Sequence, residues 1–92
     1  MKIRWTPTAL RDLEALHSHV AEDSPGAAAS EVRRILSAAE ALSLHPELGR
    51  KGRVPGTREL IVPPYIVAYR TQRLSIEVLV IVHAARRWPE WF

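Results

Sequence analysis

The segment Ile76-Glu77-Val78-Leu79-Val80-Ile81-Val82 constrains this chain more than any other. It begins with strand alternation and fades into a continuous apolar run, the mark of a strand buried on both faces and lying inside a sheet. A strand from Leu74 to Ala84 is therefore expected, and whatever surrounds it must supply cover. Two further strands precede it, Thr57 to Val62 and Tyr65 to Thr71, separated by Pro63-Pro64. A polar turn at Thr71-Gln72-Arg73 leads into the long strand, so the three form an antiparallel meander.

The cover for one face is legible upstream. Met1 to Trp5 alternates as a short strand, expected to pair at the edge of the sheet, and Thr6-Pro7 ends it. Thr6 suits an N-cap, and Pro7 a first helical position, where its missing N–H has no partner to lose. Leu10, Leu13, Leu16 and Val20 then recur at steps of three and four, predicting an amphipathic helix to about Glu22. Asp23-Ser24-Pro25-Gly26 breaks it and supplies a second cap and a second N1 proline. The next helix presents Ala28, Val32, Ile35, Leu36, Ala39 and Leu42 on one face and stops by His45-Pro46. Glu47 to Gly56 reads as a solvent-facing basic loop. The resulting order, β-α-α-β-β-β, is an α+β fold with a helical hairpin packed on a mostly antiparallel sheet.

Ninety-two residues close one core, so residues 1–92 are read as a single domain. The chain has no cysteine, which removes disulfides and thiolate metal sites and fits a reducing compartment. Its first residues lack an apolar signal core and no stretch is long enough for a bilayer, so a cytoplasmic protein with no membrane partner is expected. The net charge of +3 is unevenly spread. Residues 1–47 hold five Lys/Arg against seven Asp/Glu, and residues 48–92 hold eight against three. Eleven of the thirteen basic residues are arginine, which favours forked contacts with carboxylate or phosphate groups.

Catalytic chemistry finds little support. His17 and His19 point to different sides of a helix, and His45 and His83 stand alone in sequence, so no metal site is expected. Gly26, Gly49, Gly52 and Gly56 form no nucleotide cradle. The serines are caps or helix-surface residues, and Glu59 and Glu77 read as outward-facing strand charges, leaving no acid/base pair. What remains is a set of arginines with polar and aromatic neighbours, either a solvated basic face or a surface that engages carboxylates or phosphates.

Several stretches together resemble the ParE/RelE toxin superfamily over nearly the whole chain. They are Trp5-Thr6-Pro7-Thr8-Ala9-Leu10-Arg11-Asp12-Leu13, His45-Pro46-Glu47-Leu48-Gly49-Arg50, Gly56-Thr57-Arg58-Glu59-Leu60, Tyr65-Ile66-Val67-Ala68-Tyr69-Arg70 and Val82-His83-Ala84-Ala85-Arg86-Arg87-Trp88-Pro89. The resemblance implies the toxin of a type II toxin-antitoxin system, forming a hetero-oligomer with a cognate ParD/RelB-like antitoxin. It implies no cofactor and no small-molecule substrate. RelE-like members cut messenger RNA on the ribosome with basic residues, one of them an arginine within the stretch matching Tyr65 to Tyr69; that position is Ile66 here. An aliphatic side chain cannot stabilise a phosphorane. ParE-like inhibition of DNA gyrase by binding is therefore the favoured expectation, with ribosome-dependent mRNA cleavage as the alternative.

Read this way, no residue is assigned as catalytic or metal-ligating. Arg58, Arg70, His83, Arg86, Arg87 and Trp88 are expected to meet the target, and Arg50, Arg53, Tyr65 and Tyr69 the antitoxin. A competing expectation is that Trp88 packs over the core and Arg86 pairs with Glu59 or Glu77.

Overall fold

The computed structural model describes residues 1–85 and Trp88. Strand β1 (Lys2–Trp5) leads into helices α1 (Pro7–Ala21) and α2 (Pro25–Ala41), followed by β2 (Arg50–Lys51), β3 (Arg58–Val62), β4 (Tyr65–Thr71) and β5 (Ser75–His83). The sheet order is β1-β5-β4-β3-β2. β1 runs parallel to β5 and every other pair is antiparallel. The expected α+β architecture is present, with β1 itself forming one edge and β5 lying inside it.

Both helix starts follow from local chemistry. The Thr6 hydroxyl accepts the Ala9 N–H at 3.1 Å, and the Ser24 hydroxyl accepts the Ala27 N–H at 3.2 Å, each just before its N1 proline. The hairpin lies on the face formed by Leu60, Val62, Tyr65, Val67, Tyr69, Ile76, Val78 and Ile81. The α1 stripe is shifted from its expected place: Leu10 is exposed, and Ala9, with no bulk to hold it off the sheet, is fully buried. Helix α2 ends at Ala41, a turn before His45-Pro46.

The fading alternation in β5 has two causes. Ala68 faces Val80 while Tyr69 faces Val78, so Leu79 is an extra residue at a bulge. A bulge reverses which side the following residues face. Ile76 and Val78 meet the helices before it, and Ile81 does so after it, while Val80 turns to the opposite face. The second cause is that this opposite face is also covered: Ala68, Val80 and Val82 are buried there with Trp88 packed against them.

The segment after α2 differs most from expectation. It contains the short edge strand β2, and Gly49 beside it is buried instead of solvent-facing. The buried Tyr69 hydroxyl accepts the Gly49 N–H at 2.9 Å and donates to the Pro46 carbonyl at 2.8 Å. Arg58 adds a 2.8 Å bond to the Gly49 carbonyl. A β-carbon at Gly49 would lie 2.7 Å from the Tyr69 ring and 2.9 Å from the Glu59 carbonyl, so only glycine lets the loop approach. Tyr69→Phe should thus lower stability by about 1 to 3 kcal/mol, the cost of leaving a buried donor unsatisfied, read as a shift in the urea midpoint at unchanged slope.

Candidate functional site: the open face of the sheet

The face turned away from the helices is built by alternation. β4 places Ile66, Ala68 and Arg70 there, β5 contributes Glu77, Val80 and Val82, and β3 contributes Glu59 and Ile61. Lys2 and Arg4 of β1 pair with Ser75 and Glu77 and so share this side. One end of this face, with Ile61, Ile66 and Val82, is apolar, and the charges gather toward the other end, where Arg4, Glu77 and Arg70 lie in register.

Toward the charged end a buried carboxylate organises two arginines. Glu59 is only 3% exposed. Its Oε1 accepts Arg50 Nη2 at 3.0 Å and Nε at 3.3 Å. Its Oε2 accepts the Arg53 backbone N–H at 2.8 Å and Arg53 Nε at 3.3 Å. The Arg53 guanidinium in turn lies 3.5 Å from the centre of the Trp88 ring, a cation–π contact. Glu59 was expected to point outward as an ordinary strand charge; the loop folds its arginines over it and seals it in. On the next row of the same face, beside this cluster, Arg70 Nε meets Glu77 Oε1 at 2.7 Å, and both remain closer to solvent than Glu59.

These placements redraw the expected grouping. Arg50 and Arg53, assigned to the antitoxin, share one cluster with Trp88, assigned to the target. Tyr69 is fully buried and presents no surface to any partner. Arg58 is occupied as a strut of the loop. Tyr65 and His83 face the helix side, ring edge to ring face at 5.7 Å. Arg86 and Arg87 lie outside the described residues, so the pairing of Arg86 does too. Glu59 already engages Arg50 and Arg53, and Glu77 engages Arg70. Trp88 packs over Ala68, Val80 and Val82, as the competing expectation had it.

Sequence reasoning missed Glu59 as the organiser. The signal was its position in the strand facing a loop with two arginines. It also missed that Asp12, His19 and His83 line one cavity where α1 meets β5. Among the described residues no group of three or more histidines or carboxylates could hold a metal ion, and no helix is long and apolar enough to cross a membrane.

Burial alone would raise the Glu59 pKa, but the Arg53 N–H and the two guanidinium groups outweigh it and hold the carboxyl below its ordinary value of 4.5. A folded-state value below the unfolded one means that the carboxylate's stabilising contribution is full above about pH 4.5 and is lost as pH falls through the lowered value. Glu59→Gln should therefore be less stable at pH 7 by about 2 kcal/mol, the scale of hydrogen bonds to a charged group, and the difference should shrink below pH 4. Urea midpoints of both proteins at pH 7 and pH 3.5 check this.

Comparison with known proteins agrees with the fold. The family model for the ParE toxin of type II toxin-antitoxin system, parDE, matches residues 3–88. The protein Y4kP of Sinorhizobium fredii is 44% identical over 91 residues, covering 97% of this chain and 94% of its own. Toxin RelE2 of Caulobacter vibrioides is 34% identical over 85 residues, covering 92% and 97%. Among solved structures, a chain of the chromosomal ParDE system of P. aeruginosa superposes with a TM-score of 0.81 at 30% identity, covering 90% of this chain and 95% of that one. A chain of the RelBE2 toxin-antitoxin complex of Mycobacterium tuberculosis shares the fold, with a TM-score of 0.67 at 24% identity over 89% and 95%. With its helical hairpin, its mixed sheet and a family match spanning nearly all of its length, the chain belongs to the ParE toxins of type II toxin-antitoxin systems.

Proposed function

We propose that this toxin arrests growth in the cytoplasm by binding DNA gyrase through the open face of its sheet, and that a cognate antitoxin neutralises it in a toxin-antitoxin hetero-oligomer. The observation that carries the reading is the makeup of that face around Ile66. Ile66, Ala68, Val80 and Val82 are buried there and Trp88 lies over the last three. Tyr65, Tyr69 and His83 are on the helix side by the same alternation. Among the described residues, a face with an apolar end, arginines beside it and both of its carboxylates, Glu59 and Glu77, already held by arginines is suited to binding more than to general acid or base work.

The antitoxin assignment is supported by the toxin-antitoxin systems to which the solved relatives belong. Charge adds to it: the open face carries Lys2, Arg4, Arg50, Arg53 and Arg70 against Glu59 and Glu77, among the described residues. Such a surface favours an acidic segment that orders on binding. The name of the Caulobacter relative, RelE2, keeps ribosome-dependent mRNA cleavage as the second reading.

Induction of the toxin should stop growth, and co-expression of its cognate antitoxin should restore it. With purified gyrase the toxin should stabilise cleaved DNA while ribosome-bound mRNA stays intact. Codon-positioned cuts in that mRNA, with no effect on gyrase, would replace the gyrase reading by the nuclease one. Arg70 is exposed, and its Glu77 pair lies at the surface, so Arg70→Ala should leave the fold unchanged. It should weaken gyrase binding about thirtyfold, equivalent to about 2 kcal/mol for a hot-spot arginine, measured by titration against immobilised gyrase. Arg86 and Arg87 are proposed as further members of the same surface.

A further inference from the structure

The edge of β5 changes character halfway along. Up to Val78 it is paired with β1. Beyond that point the chain has turned into α1, and side chains take over: the Thr6 hydroxyl donates to the Leu79 carbonyl at 3.0 Å, and Asp12 Oδ2 accepts the Ile81 N–H at 3.0 Å. Because the Ile81 N–H points away from β4, that of His83, two residues on, points the same way. The Ala84 N–H between them and the loop returns to β4's side, bonding the Pro64 carbonyl at 2.8 Å.

A cavity of about 130 Å³ opens at this edge, lined by Asp12, Leu16, His19, Tyr65, Ile81 and His83. At about 30 Å³ per water molecule it holds roughly four waters, far less than a nucleotide needs and about what a side-chain tip occupies. Its lining combines one carboxylate, apolar walls and aromatic rings. His83 Nδ1 accepts the Ala85 N–H at 3.1 Å, which fixes that ring beside Tyr65. Asp12 repels a phosphate or carboxylate, whereas a carboxylate with aromatic walls matches a guanidinium or ammonium on an aliphatic stem.

We infer that this cavity receives an arginine or lysine side chain of a protein partner that approaches past the end of β5, beside the outward His83 N–H, where the edge closed by Thr6 and Asp12 stops. The inference rests on the reading that the chain acts through protein partners, yet it concerns the helix side of the sheet and not the gyrase-facing side. The carboxyl itself points the same way. Burial pushes the Asp12 pKa up, the Ile81 N–H and nearby Arg11 offset this only in part, and a cation in the cavity would complete the compensation.

The test is a titration of the ¹⁵N-labelled chain with Nα-acetyl-arginine methylamide, with its lysine counterpart, and with its glutamate counterpart. Saturable shifts of the Ile81, His83, Asp12 and His19 amides with either cationic compound, and none with glutamate, are expected; the two cationic arms decide between guanidinium and ammonium. Asp12→Asn keeps an oxygen for the Ile81 N–H and removes a carboxylate strained by burial, so its melting temperature should not fall while affinity drops at least tenfold. Ala15→Leu, which fills the cavity from the exposed side of α1, should abolish the same shifts and serves if Asp12→Asn fails to fold. Equal shifts with glutamate, unchanged affinity in either folded variant, or no saturable shift with either cation would overturn the inference. None of these results bears on gyrase binding or on rescue by the antitoxin, so the two readings fail separately.

Discussion

A strand that buries Ile76, Val78 and Ile81 on one side and Val80 and Val82 on the other has to be covered twice. The helical hairpin provides the first cover, anchored where the Thr6 backbone N–H meets the Val78 carbonyl at 3.1 Å as β1 gives way to α1. Trp88 contributes to the second cover and is itself steadied by the Arg53 guanidinium. That guanidinium is held by Glu59, and the loop carrying it is held by Tyr69. Packing of the central strand and placement of the charged loop are therefore parts of one arrangement, with the open face as its outer surface.

How much of this the sequence reveals depends on the range of the cause. The helices, their caps and the meander were legible because Thr6-Pro7, Ser24-Pro25, Pro63-Pro64 and the apolar periods act within a few residues. The bulge at Leu79 was not. A reversal of facing in an apolar run looks the same in sequence as burial on both sides, and here both occur. The loop from Glu47 to Gly56 was misread because its polar composition resembles a solvated segment, while its fixed shape comes from Tyr69 and Glu59, ten or more residues away from where the loop begins.

The candidate site was legible in kind more than in grouping. Arginine and aromatic content singled out residues without showing which of them share a face, because faces are set by register, and register separated Tyr65, Tyr69 and His83 from Arg50, Arg53, Arg70 and Trp88. Ile66 could be placed from sequence alone as an apolar position, and its neighbours on the open face, Ala68 and Val82, are apolar as well. Arg58 illustrates the converse, a basic residue whose charge serves the loop's backbone through the Gly49 carbonyl.

The parallel pairing of β1 with β5 sets Lys2 beside Ser75 and Trp5 beside Val78. During synthesis the first strand thus waits for almost the last one, and the helical hairpin emerges with its apolar face still lacking the sheet it packs on. Contacts of such long sequence separation form slowly. A poison made this way matures only after most of the polypeptide has been produced, which leaves an interval in which an antidote already present can meet it before its surface is complete.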